Sequence, residues 1–161
     1  MNSDSRIEEL IKILNLKPHP EGGFYSEVYR SKIEIQSPQG ERSLATSIYF
    51  LLRSGDVSRF HRIKSDELWF WHEGSPLSIH VLNSESHQVK KLGPIHAHEC
   101  QPQHLVPANT IFGSTVDYPD SYALVSCLVT PGFDFKDFQL FTYYDLIDQF
   151  PGQSEIIQKL T

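Results

Sequence analysis

Cysteine is scarce in this chain. Only Cys100 and Cys127 occur, with no CxxC pair between them. That excludes a disulfide framework and a cysteine-rich zinc module. Cys127 sits inside the apolar run YALVSCLV, where a buried free thiol is expected. Long apolar runs are missing as well: no segment approaches the ~20 residues that span a bilayer. The opening MNSDSRIEELIK is charged and does not read as a signal peptide. No membrane partner and a cytoplasmic location are the default expectations. Basic clusters are also absent. The formal charge is −6, and Lys and Arg stand singly or in pairs, so nothing favours nucleic acid. Internal repeats, low-complexity segments and linkers are not found.

What is present fits a single domain over residues 1–161. A globule of this size buries roughly 70% of its unfolded surface and holds a core without covalent staples. Ile7, Leu10, Ile11 and Leu14 recur at the spacing of one helical face. Ser5 and Glu8 have capping-box spacing. A helix over 5–16 is therefore expected, stopped by KPHPEGG. Nine short strands follow: FYSEVYR, LATSIYFLL, SRFHRI, ELWFWH, LSIHVL, HQVKKL, QHLV, TIFGST and YALVSCLV. Turn clusters SPQG, RSGD, HEGSP and YPD separate them. That pattern predicts an all-β antiparallel barrel over 23–145. The tail GQSEIIQKL reads as a last short helix over 153–160.

One stretch, GDVSRFHRIKSDELWFWHEG, carries a pattern of spacings. Gly55, His61, Glu67 and Gly74 resemble the first motif of the cupin superfamily, with Ile63 at the place of its second histidine. VPANTIF resembles the second motif, with Pro107 in place, Asn109 for its glycine and Phe112 for its histidine. A narrower likeness covers nearly the whole chain. PHPEGGFYSEVYRS, HRIKSDELWFWHEGSPLSIHVL, PQHLVPANTIFGS and LVTPGFDFKDFQL together are similar to the small cupin-5 family, a domain of unknown function. The resemblance implies a double-stranded β-helix, or jelly-roll, barrel with one pocket at its mouth. It also implies a homodimer.

His61 and Glu67 are the expected catalytic pair. A tight turn near Lys64–Asp66 would set them opposite one another on neighbouring strands, about 5 Å apart at Cβ. A catalytic metal wants about three protein ligands and an open position. The motif supplies only His61 and Glu67, because Ile63 and Phe112 coordinate nothing. No metal and no cofactor are expected. A metal-dependent oxygenase or isomerase would need a further ligand from outside the motif. Strand alternation turns His72 away from Glu67. His96, His98 and His104 fall in a turn-rich stretch and read as surface loop.

The remaining wall is expected to be aromatic. Trp69, Trp71 and Phe112 take inward positions, and Ser47, Tyr49 and Gln103 are candidate lining residues. Such a pocket suits a planar or sugar-like small molecule. Phe133, Phe135 and Phe138 read as core. The glycine pair of PEGGFYSE reads as a bend, from which Glu21 and Glu27 could still reach the pocket or the dimer partner. Three functions fit these residues. The favoured one is a metal-independent enzyme, such as an epimerase or isomerase. The others are a non-catalytic ligand-binding or sensor barrel, and a metal-dependent enzyme. GGFYSEVYRS, early and apolar on alternate positions through Phe24 and Val28, is the expected dimer edge.

Overall fold

The computed structural model describes residues 3–84 and 86–161. It opens with helix α1 (Ser3–Ile13). The helix starts two residues ahead of the expected cap, so Ser5 lies inside its first turn and the Ser5–Glu8 box does not form its end. Its other end is a left-handed cap. Asn15 has φ 51°, and Leu16 N donates to Ile11 O at 2.9 Å, the bond that closes a helix around a residue able to take this conformation.

Among the described residues thirteen strands follow: β1 (Lys17–Pro18), β2 (Phe24–Arg30), β3 (Glu34–Ser37), β4 (Gly40–Ser43), β5 (Thr46–Arg53), β6 (Val57–Arg62), β7 (Asp66–Gly74), β8 (Leu77–Leu82), β9 (His87–Leu92), β10 (Gln103–Val106), β11 (Ile111–Val116), β12 (Tyr122–Thr130) and β13 (Gln139–Leu140). Helices α2 (Tyr143–Ile147) and α3 (Ser154–Lys159) close the described chain. All nine expected strands are present, seven of them with the boundaries read from sequence or within one residue. The unexpected elements β1, β3, β4, β13 and α2 span two to five residues each, too short to show a period. The SPQG turn joins β3 to β4.

Two antiparallel sheets face each other. One runs β1-β2-β5-β12-β7-β10 and the other β13-β6-β11-β8-β9. This is the expected jelly-roll barrel. Its core lies between the sheets, built from Phe50, Leu52, Trp69, Ile79, Phe112 and Val125 among others. A second cluster fastens α2 and α3 to the five-stranded sheet through Leu146, Ile157 and Leu160. A third fastens α1 to the outer face of the six-stranded sheet through Ile7, Leu10, Leu51 and Leu124.

One expectation about the barrel needs correction. His61 and Glu67 do not face each other across a hairpin. β6 and β7 belong to different sheets, and the IKSDE segment carries the chain from one to the other. His61 pairs with Phe112 on β11, and Glu67 pairs with Val129 on β12. The two side chains therefore approach the barrel interior from opposite sheets.

Candidate functional site

A cavity of about 470 Å³ opens between the sheets, within the range that takes a small molecule. His61 and Glu67 both line it, and both are buried, at 2% and 7% exposure. The third polar group is Glu21, at 6%. It comes from the bend after β1, where Gly22 and Gly23 have φ of 112° and 75°. Those two glycines let the chain turn back onto itself. His19, Glu21, Tyr25 and Glu27 are thereby delivered to the cavity wall.

Glu21 Oε2 stands 2.8 Å from His61 Nε2. On the other side of the ring, His61 Nδ1–H donates to the Arg59 carbonyl at 2.7 Å. A carbonyl only accepts, and a carboxylate only accepts, so both ring nitrogens must carry protons. Burial alone would push the imidazole pKa down. The charge and hydrogen bond of Glu21, the Arg59 carbonyl and the Glu67 charge outweigh it, and His61 is held above its ordinary value. Burial alone would likewise raise Glu21. The His61 charge and hydrogen bond win there as well, and Glu21 is held below the ordinary carboxylate range. His61 and Glu21 thus form a buried ion pair.

Glu67 is left as the group without a strong partner. Burial first, and the Glu21 charge second, push its pKa up to about 7, against the pull of His61. Cys127, on the same wall, is pushed well above the usual thiol range by burial and by the Glu67 and Glu21 charges. The thiol therefore stays protonated beside Glu67.

The rest of the wall differs from the sequence expectation. On β5 the cavity is lined by Thr46, Ile48 and Phe50, so Ser47 and Tyr49 lie on the opposite face. The cause is α1: its packing over Tyr49 and Leu51 makes both faces of β5 apolar and hides the alternation. Trp69 is buried in the inter-sheet core at 1%, against Phe50 and Phe112, and its indole N–H pulls the Glu67 pKa down without closing a hydrogen bond of ordinary geometry. Trp71 lies further along β7 and donates from Nε1 to Ser75 O at 3.1 Å. Gln103 is exposed; β10 points His104 and Val106 inward instead, and the His104 ring meets the Lys91 carbonyl at 2.8 Å. Phe112 is packed beneath His61 with ring centroids 4.3 Å apart. None of these six residues belongs to the cavity wall.

Phe133, Phe135 and Phe138, read as core, do line the cavity. They form a mutual edge-to-face cluster with centroids 4.8 to 6.3 Å apart, and Phe138 also lies over His61 at 5.5 Å. Their loop is held by Arg42 of β4, which donates from Nε and from Nη2 to the two carboxylate oxygens of Asp137, each at 2.9 Å. Phe133 N also donates to Thr46 Oγ1 at 2.9 Å. Glu27 and Arg30, three apart on β2, both face the cavity because a β-bulge falls between Glu27 and Tyr29. They pair at 2.8 Å.

A metal does not fit these residues. Both nitrogens of His61 are committed, Ile63 and Phe112 stand at the other motif positions, and no group of three His, Cys, Asp or Glu among the described residues is arranged to hold an ion.

Two facing antiparallel sheets with a polar cluster in the mouth define a cupin barrel. The chain belongs to the Cupin_5 family, described as Cupin superfamily (DUF985), whose model matches residues 8–141. It is similar in structure to a hypothetical protein from Leishmania major, at 38% identity and TM-score 0.90, covering 96% of this chain and 97% of that one. A protein from Shewanella oneidensis is 42% identical at TM-score 0.89, covering 100% and 98%. An uncharacterized protein of Saccharomyces cerevisiae is 29% identical in an alignment of 151 residues that covers 83% of this chain and 74% of that one. No helix among the described residues is long and apolar enough to cross a membrane.

Proposed function

We propose that this protein is a metal-independent acid–base enzyme that isomerises or epimerises a small, polar, sugar-like molecule, with Glu67 moving the proton. The observation that carries the reading is Glu67 itself. It is a buried carboxyl on a cavity wall, held near neutrality, beside an imidazole whose nitrogens are both in use. A group with a pKa near the working pH is the most effective proton carrier. His61, which the sequence suggests as a general base oriented by Glu67 or as the orienter of Glu67, becomes a fixed cation in this reading. Its charge opposes the negative charge that grows on a substrate when Glu67 removes a proton. Phe133, Phe135, Phe138 and Tyr25 offer apolar faces for a ring or carbon chain, and they limit water at the site.

The test is solvent-deuterium exchange. Purified protein in D₂O is screened by proton NMR against sugars and hydroxy acids. Deuterium should enter at carbon in at least one of them, and Glu67→Gln should slow that exchange by roughly 10²–10⁴-fold. A second reading, a barrel that binds a ligand without turnover, is favoured by the self-sufficiency of the His61–Glu21 pair, which needs no ligand to satisfy it. Binding with no exchange anywhere in the screen would select it.

A homodimer is part of the same proposal. β1 covers only Phe24 and Tyr25 of β2. The rest of that edge carries Val28 and Tyr29 at 53% and 52% exposure, an open edge of the kind that invites a second strand.

A further inference from the structure

His19 is a buried titratable group of the cavity wall that the acid–base reading leaves unused. Its ring is held among three aromatic rings, Phe138 standing at 6.4 Å between centroids. Tyr25 stands edge-on at 4.6 Å between centroids and Phe50 at 5.9 Å. The side chain is 8% exposed. Its Nδ1 accepts the Glu21 backbone N–H at 3.2 Å. A nitrogen that accepts carries no proton, so in the neutral ring the proton sits on Nε2. No described residue takes that Nε2–H, and His19 lines the same cavity as Glu67. Burial, with the His61 charge in support, holds the His19 pKa below its ordinary value against the pull of Glu21.

We infer that His19 is a second catalytic residue, a neutral imidazole whose Nε2–H bonds the carbonyl oxygen of the substrate, and that the substrate class is a 2-hydroxy ketone or 2-hydroxy aldehyde. This rests on the acid–base reading of Glu67. A neutral imidazole that donates one hydrogen bond is an effective electrophile toward a carbonyl, and a donor already in place when charge develops is worth more than one that must reorganise.

The step balances without a co-reactant. The Glu67 carboxylate takes a proton from the hydroxyl-bearing carbon beside the carbonyl. The C–H pair becomes the double bond of an enediolate, and the carbonyl π pair moves onto the oxygen that faces His19. The hydroxyl proton then crosses from one enediol oxygen to the other. Glu67 returns its proton to the carbon that had carried the carbonyl. One base suffices for this 1,2-shift. A two-base epimerase needs a second base on the opposite face of the carbon, and none is free among the described lining residues: His61 and Glu21 are paired to each other, Glu27 is paired to Arg30, Asp134 caps its own loop at Lys136 N, and Cys127 stays protonated. Isomerisation is therefore favoured over epimerisation.

The experiment uses dihydroxyacetone, D-erythrulose, D-xylulose and D-fructose, with glycerol, erythritol, xylitol and mannitol as the matched alditols. Binding is read by saturation-transfer NMR and exchange by deuterium incorporation. Wild type should prefer at least one ketose over its alditol by tenfold or more and should exchange its carbon-bound proton. His19→Phe should abolish that preference, raising KM by about the tenfold it represents, and lower kcat for exchange about 100-fold. His19→Gln, which restores an N–H donor, should recover at least a tenth of the wild-type rate. It also covers a failure of His19→Phe to fold. No ketose preference in wild type, or exchange within threefold of wild type in folded His19→Phe, overturns the assignment of His19. Exchange that persists undiminished in Glu67→Gln overturns instead the acid–base reading on which it rests.

Discussion

His61 Nε2 lies 2.8 Å from Glu21 Oε2, so the histidine of the barrel motif is partnered by a carboxylate that the motif does not contain. The pair predicts its own titration. In Glu21→Gln the charge that raises His61 is gone, while burial, which lowers it, remains. The His61 pKa, followed by NMR of the ring protons, should fall below the wild-type value. Glu21→Ala should cost about 3–5 kcal/mol in urea denaturation at neutral pH, the usual penalty for removing one partner of a buried pair. Glu21→Gln should cost less, because it keeps a polar group against Nε2. An unchanged His61 titration in both variants would show that the ion pair does not form.

Glu67 makes a prediction about pH. Its carboxyl rises from an ordinary 4.5 to about 7 in the fold. Between those values the folded state holds a proton that the unfolded state has released. Stability from Glu67 is therefore complete below about 4.5 and is lost as pH rises through about 7. The loss is on the order of 3 kcal/mol. Glu67→Gln removes this dependence, so its stability relative to wild type should climb between pH 4.5 and 8. Urea midpoints at half-unit intervals measure it. Taking the difference between the two proteins reduces the background from His61, whose raised pKa also loses stability as pH rises, and from Glu21, whose lowered pKa costs stability only as pH falls below the ordinary carboxylate range.

Much of this barrel was legible in the sequence, and the failures have definite causes. The strands of 77–82, 87–92 and 103–106 match residue for residue, because turns bound them closely. Which face of a strand looks inward was harder. On β5, apolar residues on both faces left no alternation to read, since α1 covers Tyr49 and Leu51. On β10, four residues gave no basis for choosing Gln103 over His104. The pairing of β6 with β11 rather than β7 is a long-range choice that a local turn signal conceals. Glu21 is expected at the pocket but not as the partner of His61, and His19 was hidden by a correct observation: the glycine pair is indeed a bend. What it bends around, two titratable residues within PHPEGG, was the available signal. Chemistry-bearing side chains beside glycines at positive φ merit the same attention as those on strands.

Chelation should leave the protein unchanged. His61 has no free nitrogen for an ion, and its neighbours on the motif are Ile63 and Phe112. A structural metal held at 100 times its Kd would contribute about 2.7 kcal/mol, or roughly 5–10 °C in Tm for a chain of this length. Dialysis against EDTA should shift Tm by far less than that. Elemental analysis of the untreated protein should find well under one equivalent of iron, zinc, manganese or nickel. A stoichiometric ion that reports on His61 in NMR would reverse the assignment.

The open edge of β2 should pair with a second copy. Val28 occupies the bulge between Glu27 and Tyr29 and is 53% exposed, so Val28→Lys places charge on the edge without a core contact to lose. Wild type should sediment as a dimer at micromolar concentration, and Val28→Lys should shift it toward monomer with Tm otherwise preserved. A wild-type monomer under those conditions removes the dimer proposal.

The bend itself can be tested with a pair of glycines. Gly22 has φ 112°, and a Cβ built there would lie 2.1 Å from the Val57 carbonyl oxygen. Gly55 has φ 84°, and a Cβ there would meet nothing within 4 Å. Gly55→Ala should therefore show only the backbone strain of a left-handed residue, about 1–2 kcal/mol. Gly22→Ala carries a similar strain and a clash with main chain, which cannot rotate away. Its cost should exceed that of Gly55→Ala by roughly 2 kcal/mol or more. The consequence for the site should differ as well. The Glu21 carbonyl accepts from Arg59 N at 2.8 Å, so the bend is stitched to β6 directly beside His61. Displacing Gly22 from Val57 must move that stitch, and with it the Glu21 carboxylate. His61 should then titrate lower in Gly22→Ala and normally in Gly55→Ala. Equal stabilities and equal His61 titrations in the two variants would mean that the glycine pair only turns the chain and does not position the carboxylate.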